Sequence, residues 1–271
     1  MGLVDMISLN GRKIEYTEHG KGPAVLFIPG SFSTPAAWIG MQRALPQQYR
    51  FISTSLCGYG STDETRSTNN FGIGNLVRTI EAVGIEIGEP VHLVGHSLGG
   101  MVAFASALSG TLDVLSIATF EANPLTIIDE RGHHQLFEAT KKFSEEYEAA
   151  CYAGEMDAVG RIIDFWGGEG SFASMPDTVQ EYCRETAFTN ILDWHTGLSF
   201  TAKMSDYATL SMPVLLARGS HTNRQMLEIT EALQACIPNQ RSAVIKDANH
   251  FLITSHRKAC ADLLAEFFRE I

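Results

Sequence analysis

Short apolar runs bounded by Gly, Pro and Asn alternate along the chain with longer segments whose apolar residues recur at helical spacing. That alternation predicts a mainly parallel sheet with helices on its faces. Strands are predicted over residues 14–19, 24–28, 49–54, 90–95, 114–120, 213–218 and 240–245, and helices over 36–45, 70–83, 98–108, 224–235 and 256–268. The stretch M-I-S-L-N-G-R-K-I-E-Y reads as a hairpin with Asn10-Gly11 at its turn.

The rhythm breaks after Asn123-Pro124. From about 124 to 208 no strand period is visible, and Q-L-F-E-A-T-K-K-F-S-E-E-Y-E-A-A and R-I-I-D-F-W read as amphipathic helices separated by G-G-E-G-S. The main pattern resumes at M-P-V-L-L-A-R-G. The chain therefore divides into a core of residues 1–123 and 209–271 and a helical insertion of 124–208.

Composition narrows the partners. With 271 residues, 45% of them hydrophobic, the chain can bury a large core. Its net charge of −11 repels nucleic acid and gains nothing at an anionic membrane surface. The five cysteines are widely spaced and form no C-x-x-C pair, which suits reduced thiols better than a disulfide framework or a metal site. No apolar run approaches the roughly 18 residues of a membrane span, and the amino terminus lacks the pattern of a secretory leader. A cytoplasmic protein acting on a small molecule is expected.

The candidate chemistry begins at V-H-L-V-G-H-S-L-G-G, residues 91–100. A strand-to-helix turn tight enough to lift one side chain clear of a sheet needs almost no side chain two residues before and two after it, and Gly95 and Gly99 fill those places around Ser97. The following helix aims its free N–H groups at any negative charge developing there. This stretch resembles the nucleophile elbow of the α/β-hydrolase superfamily, in the lipase, esterase and C–C hydrolase branch.

The resemblance implies an α/β-hydrolase fold, a mostly parallel sheet of about eight strands flanked by helices, with 124–208 as an inserted helical cap. It extends to V-L-F-I-P-G-S-F, where Pro29 replaces the usual His, and implies an oxyanion hole made by backbone N–H groups of Leu98 and Ser31 or Phe32. S-L-C-G-Y-G-S-T is similar to a family turn in which Asp is common at the position of Ser55. His250, in K-D-A-N-H-F-L between the last strand and last helix, stands where the resemblance puts the base. The acid's usual place holds Thr222, which carries no charge. Some branches take a glutamate past the preceding strand, and Glu121 ends the uncharged run L-S-I-A-T-F at the carboxyl edge where such sheets bind ligands. Glu121 is therefore the expected acid, ahead of Asp247 and Asp113.

Of the other histidines, His96 is expected to point away from the site and His92 lies in a strand, while His133, His134 and His195 fall in the insertion without metal-ligand spacing. Bulky residues at Trp38, Phe165, Trp166, Trp194 and Phe251 are expected to line an apolar pocket. The implied activity is hydrolysis of a carboxylic ester through an acyl-enzyme, without cofactor or metal. C–C bond hydrolysis or perhydrolysis on the same three residues, or a ligand receptor with little turnover, are the alternatives.

Overall fold

A computed structural model describes residues 4–9 and 11–271. The strands are β1 (Val4–Leu9), β2 (Arg12–Gly20), β3 (Ala24–Ile28), β4 (Arg50–Thr54), β5 (Val91–His96), β6 (Val114–Phe120), β7 (Val214–Gly219) and β8 (Gln240–Ile245). They form one sheet in the order β1-β2-β4-β3-β5-β6-β7-β8, in which β2 runs antiparallel to both its neighbours, β1 and β4, and every other pairing is parallel. The hairpin joins β1 and β2. Gly11 adopts φ 78° in its turn, and Asn10 lies outside the described residues.

The core helices are α1 (Ile39–Ala44), preceded by a short 3-10 turn, α2 (Gly74–Ile87) and α3 (Leu98–Ser109). Six more follow β6: α4 (Ile127–Glu130), α5 (His134–Tyr152), α6 (Ala158–Gly167), α7 (Asp177–Glu185), α8 (Ala187–Ser199) and α9 (Met204–Tyr207). After β7 come α10 (Arg224–Cys236), α11 (Leu252–Ser255) and α12 (Arg257–Glu270). The central strands are apolar on both sides because both are covered. In β3, Leu26 and Ile28 pack toward α2, α3 and α10, while Val25 and Phe27 pack toward α1 and α12 with Leu264 and Phe267. The period of two along the strand thus sorts one apolar run into two cores.

Two features of this topology position the site. From β3 the chain crosses to β4 on one side, and from β4 it returns to β5 on the other, so the loops leaving β3 and β5 diverge and open a crevice at their carboxyl ends. The loop after β4 is also braced unusually. Ser55 stands where an Asp was expected, and Glu15 of β2 provides the carboxylate instead, accepting from the Ser55 hydroxyl at 2.8 Å and the Ser61 N–H at 2.9 Å. Among the described residues no helix is long and apolar enough to cross a membrane.

Candidate active site

Ser97 sits between the last residue of β5 and the first of α3 with φ 53° and ψ −122°, a conformation that costs a non-glycine residue of order 1–3 kcal/mol. The surrounding packing enforces it. A methyl group on Gly95 would lie 2.6 Å from the Gly100 Cα, and one on Gly99 would lie 2.5 Å from the Pro29 carbonyl oxygen. The elbow is therefore pressed against the end of β3. Leu98 opens α3, so its N–H is one that no helix carbonyl satisfies.

His250 follows β8 and is 4% exposed. Its Nε2 lies 3.0 Å from Ser97 Oγ and its Nδ1 2.8 Å from Glu121 Oε2. A carboxylate only accepts, so Nδ1 carries the proton and Nε2 accepts from the serine hydroxyl. Trp166 of α6 stacks on the imidazole, with ring centroids 5.0 Å apart. Glu121 is 1% exposed and leaves β6 with φ 53°. Its N–H donates to the Ala217 carbonyl at 2.8 Å, and its Oε1 accepts the Gly219 N–H at 2.7 Å. Strand β7 thus holds both the backbone and the carboxylate of Glu121. Thr222 has a buried hydroxyl without a hydrogen-bond partner and takes no part in this relay.

Several residues depart from expectation. His96 does not point away: its Nε2 donates to the His250 carbonyl at 2.8 Å, and it lines the same cavity. Burial drives its pKa down to about 3. Trp38 does not line the pocket. It is buried on the opposite side of the sheet against Phe27 and Phe120, because α1 packs on the face away from α3. Phe165 is likewise absent from the wall and stacks on Phe143 at 4.5 Å. Consecutive helical residues point about 100° apart, so Trp166 faces the site and its neighbour packs among the helices between β6 and β7. Trp166, Trp194, Phe251, Phe32, Ser31 and Leu98 do border the cavity, which measures about 200 Å³.

The sequence reading missed three polar residues. Asn123 donates to Ser97 Oγ at 3.4 Å. Asn190 and Asp193, both on α8, also line the cavity. Asp193 Oδ2 accepts from the hydroxyls of Ser31 at 2.6 Å and Tyr59 at 2.5 Å, and Oδ1 pairs with Arg66 at 2.6 Å. Arg66 has a fully buried side chain and also pairs with Glu64 at 2.8 Å. Burial lowers the Arg66 pKa, but the carboxylates of Asp193 and Glu64 outweigh it and hold the guanidinium charged. Desolvation raises the Asp193 carboxyl against the pull of Arg66, and it pushes the Tyr59 hydroxyl well above its usual value. The one signal for these residues was spacing: Asn190, Asp193, Trp194 and Gly197 fall on one helical face.

The three histidines between β6 and β7 each face a carboxylate. His133 pairs with Glu228, His134 with Asp129 and His195 with Glu148. All five cysteines are free, and among the described residues no group of three His, Cys, Asp or Glu side chains is arranged to hold a metal.

The sequence pattern of the alpha/beta hydrolase family matches residues 25–263, and the chain belongs to that family. It is 35% identical over 106 residues to epoxide hydrolase 2 of Siraitia grosvenorii, a match covering 36% of this chain and 32% of that protein. The chain thus aligns with about a third of that relative's length. It is 23% identical to a pimeloyl-[acyl-carrier protein] methyl ester esterase of Aeromonas hydrophila over 92% of this chain and 96% of that one. An epoxide hydrolase structure from Vigna radiata superposes with a TM-score of 0.76 at 20% identity, covering 100% of this chain and 98% of the other. At that identity the likeness speaks for the fold.

Proposed function

We propose that the protein is a serine hydrolase that cleaves carboxylic esters of small, largely apolar substrates, with residues 124–208 as a cap over the site. The observation that carries this reading is the continuous relay from Ser97 Oγ through His250 to Glu121, at 3.0 and 2.8 Å. A serine hydroxyl is a weak nucleophile at neutral pH and needs such a base. As Ser97 Oγ attacks the ester carbonyl, its proton passes to His250 Nε2, and Glu121 stabilises the resulting imidazolium. The carbonyl oxygen takes the negative charge and is held by the N–H groups of Leu98 and Ser31. Phe32, the next residue of the same loop, is the alternative for that second donor. The protonated His250 then gives its proton to the departing alcohol. Water, deprotonated by the same imidazole, attacks the acyl-serine, releases the carboxylic acid and restores the hydroxyl.

The nucleophile separates this chemistry from that of the relatives named epoxide hydrolases. If Ser97 opened an epoxide, the product on the enzyme would be an alkyl ether, which water does not release. A carbonyl substrate gives an ester on the serine, which water does release. Fluorophosphonate labelling with peptide mapping tests the assignment, together with p-nitrophenyl ester turnover. Labelling at Ser97 and turnover abolished in Ser97→Ala are expected. A labelled residue elsewhere, or unaltered turnover in Ser97→Ala, removes the reading.

A further inference from the structure

Asn123 follows the carboxyl end of β6, two residues beyond Glu121, and its amide nitrogen lies 3.4 Å from Ser97 Oγ. The chain around it has little freedom. The Glu121 N–H is bonded to β7, and Ala122 packs so closely on α3 that a methyl group on Gly100 would lie 2.6 Å from the Ala122 Cβ. Pro124 disfavours helical backbone at the residue before it and so holds Asn123 extended. The amide thus approaches Ser97 from the β6 side of β5, whereas Ser31 comes from the β3 side.

Proton counting fixes which end of the amide faces the serine. Ser97 has a single hydroxyl proton, which goes to His250 Nε2, because Nδ1 of that ring is already protonated and held by Glu121. Toward any other neighbour Oγ can only accept, so the Asn123 NH2 and not its oxygen must face it. The amide oxygen is turned into the protein instead, buried and without a hydrogen-bond partner. A bare buried acceptor is destabilising, and an apolar side chain of similar shape would avoid it. Packing therefore gives no reason for an amide at this place, and a donor fixed on the reacting oxygen does.

We propose that Asn123 is a catalytic residue whose N–H donates to Ser97 Oγ and stabilises the negative charge on that atom in both halves of the reaction. The inference deepens the serine-hydrolase reading and rests on it. In acylation the O–H bond of Ser97 breaks toward His250 Nε2 as the bond from Oγ to the acyl carbon forms, and charge gathers on Oγ before the carbonyl oxygen takes it. In deacylation water adds to the acyl carbon and the bond to Oγ breaks. The electron pair stays on Oγ until the proton on His250 Nε2 returns to it. The amide proton never leaves Asn123. A neutral hydroxyl is a weak acceptor, which suits the long contact of 3.4 Å, and the bond strengthens as Oγ becomes charged. Leu98 and Ser31 act on the carbonyl oxygen and Asn123 on the serine oxygen, so the two sets of donors are not redundant.

The test compares wild type with Asn123→Leu, which keeps a branched side chain and removes the donor, and Asn123→Asp, which keeps the shape and offers only acceptors when ionised. The measurements are kcat and KM for p-nitrophenyl acetate and hexanoate, the second-order rate of fluorophosphonate labelling at Ser97, and Tm. In both variants kcat and the labelling rate are expected to fall together by about 10- to 100-fold, equally for the two esters, with KM within about threefold of wild type. The Tm of Asn123→Leu is expected to match or exceed that of wild type. A structural role would lower Tm along with activity in both variants, and a role in holding the acyl chain would raise KM for one ester and spare labelling. Either result overturns the proposal, as do wild-type rates in Asn123→Leu. If Asn123→Leu does not fold, Asn123→Asp decides: slowed labelling at wild-type Tm upholds the proposal, and labelling at the wild-type rate overturns it. Failure of the serine-hydrolase reading looks different, because wild-type protein would then label elsewhere than Ser97 or not at all, and the role of Asn123 falls with it. Ser97 labelled equally fast in all three proteins removes the role of Asn123 alone.

Discussion

The carboxylate of Asp193 on α8 accepts a hydrogen bond from the Ser31 hydroxyl at 2.6 Å, across 162 positions of sequence. One end of this contact is on a helix between β6 and β7, and the other is in the loop that follows β3. Through Arg66 and Tyr59 the same carboxylate reaches the loop that follows β4. The helices between β6 and β7 are thus tied to the loops after β3 and β4 by a buried ionic cluster near Ser97.

Removing the charge of Asp193 leaves Arg66 buried with Glu64 as its only carboxylate partner. Breaking one half of a buried pair typically costs about 3–5 kcal/mol. Asp193→Asn is expected to lose stability of that order in urea unfolding. It is also expected to lower kcat, because Ser31 loses a charged acceptor and its N–H is less firmly placed. A variant with wild-type stability and kcat would show that the cluster neither holds the insertion nor positions Ser31.

Glu121 offers a sharper separation of charge from structure. A glutamine there keeps an acceptor for the Gly219 N–H and nearly the same volume, but it cannot stabilise the imidazolium. Glu121→Gln is expected to fold normally, to label more slowly with fluorophosphonate, and to lose about three to four orders of magnitude in kcat. Undiminished kcat with intact folding would mean that another carboxylate serves His250.

The elbow makes a steric prediction. Gly99→Ala places a methyl against the backbone carbonyls of Ile28 and Pro29, atoms that cannot swing aside. Helix α3 must then lift away from β3, at a cost of about 1–3 kcal/mol. Because the shift also moves Leu98 relative to Ser31, kcat should fall while mapping still finds the label on Ser97. Unchanged kinetics and thermal stability would contradict the close packing.

These cases show where the sequence is informative. Gly95 and Gly99 could be read because hard-sphere contact leaves no other choice at fixed offsets from Ser97. Glu121 could be read because a lone charge at the end of an apolar strand has few structural uses. Trp38 could not be placed, because its burial among Phe27 and Phe120 depends on which face of the sheet α1 covers, and nothing local specifies that. Phe165 was expected in the wall alongside Trp166 because adjacent helical aromatics look alike until the helix is oriented. Asp193 was not singled out, since its partners at Ser31, Tyr59 and Arg66 lie far along the chain and its helical spacing does not name them. Its dependence on tertiary context resembles that of Asn190.

His96 carries the last prediction, which concerns pH. Its Nε2 donates to the His250 carbonyl, so its Nδ1 is the unprotonated nitrogen, and that atom is buried without a partner. Protonating it would create a buried charge with no acceptor, which is why its pKa falls to about 3. Burial also lowers the His92 pKa, to about 4. In the unfolded chain both histidines titrate near 6.5. As pH falls from about 7, the unfolded state therefore binds protons that the folded state refuses, and stability drops progressively toward pH 4. Above about pH 7 neither group contributes any slope. Urea midpoints measured at intervals from pH 8 to pH 5 should be flat at first and then decline. In His96→Asn the decline should be shallower, because one of the refused protons is gone even if the variant is less stable overall. An equal decline in wild type and His96→Asn would mean that His96 accepts its proton without opening the fold, and that the contact with the His250 backbone survives acid.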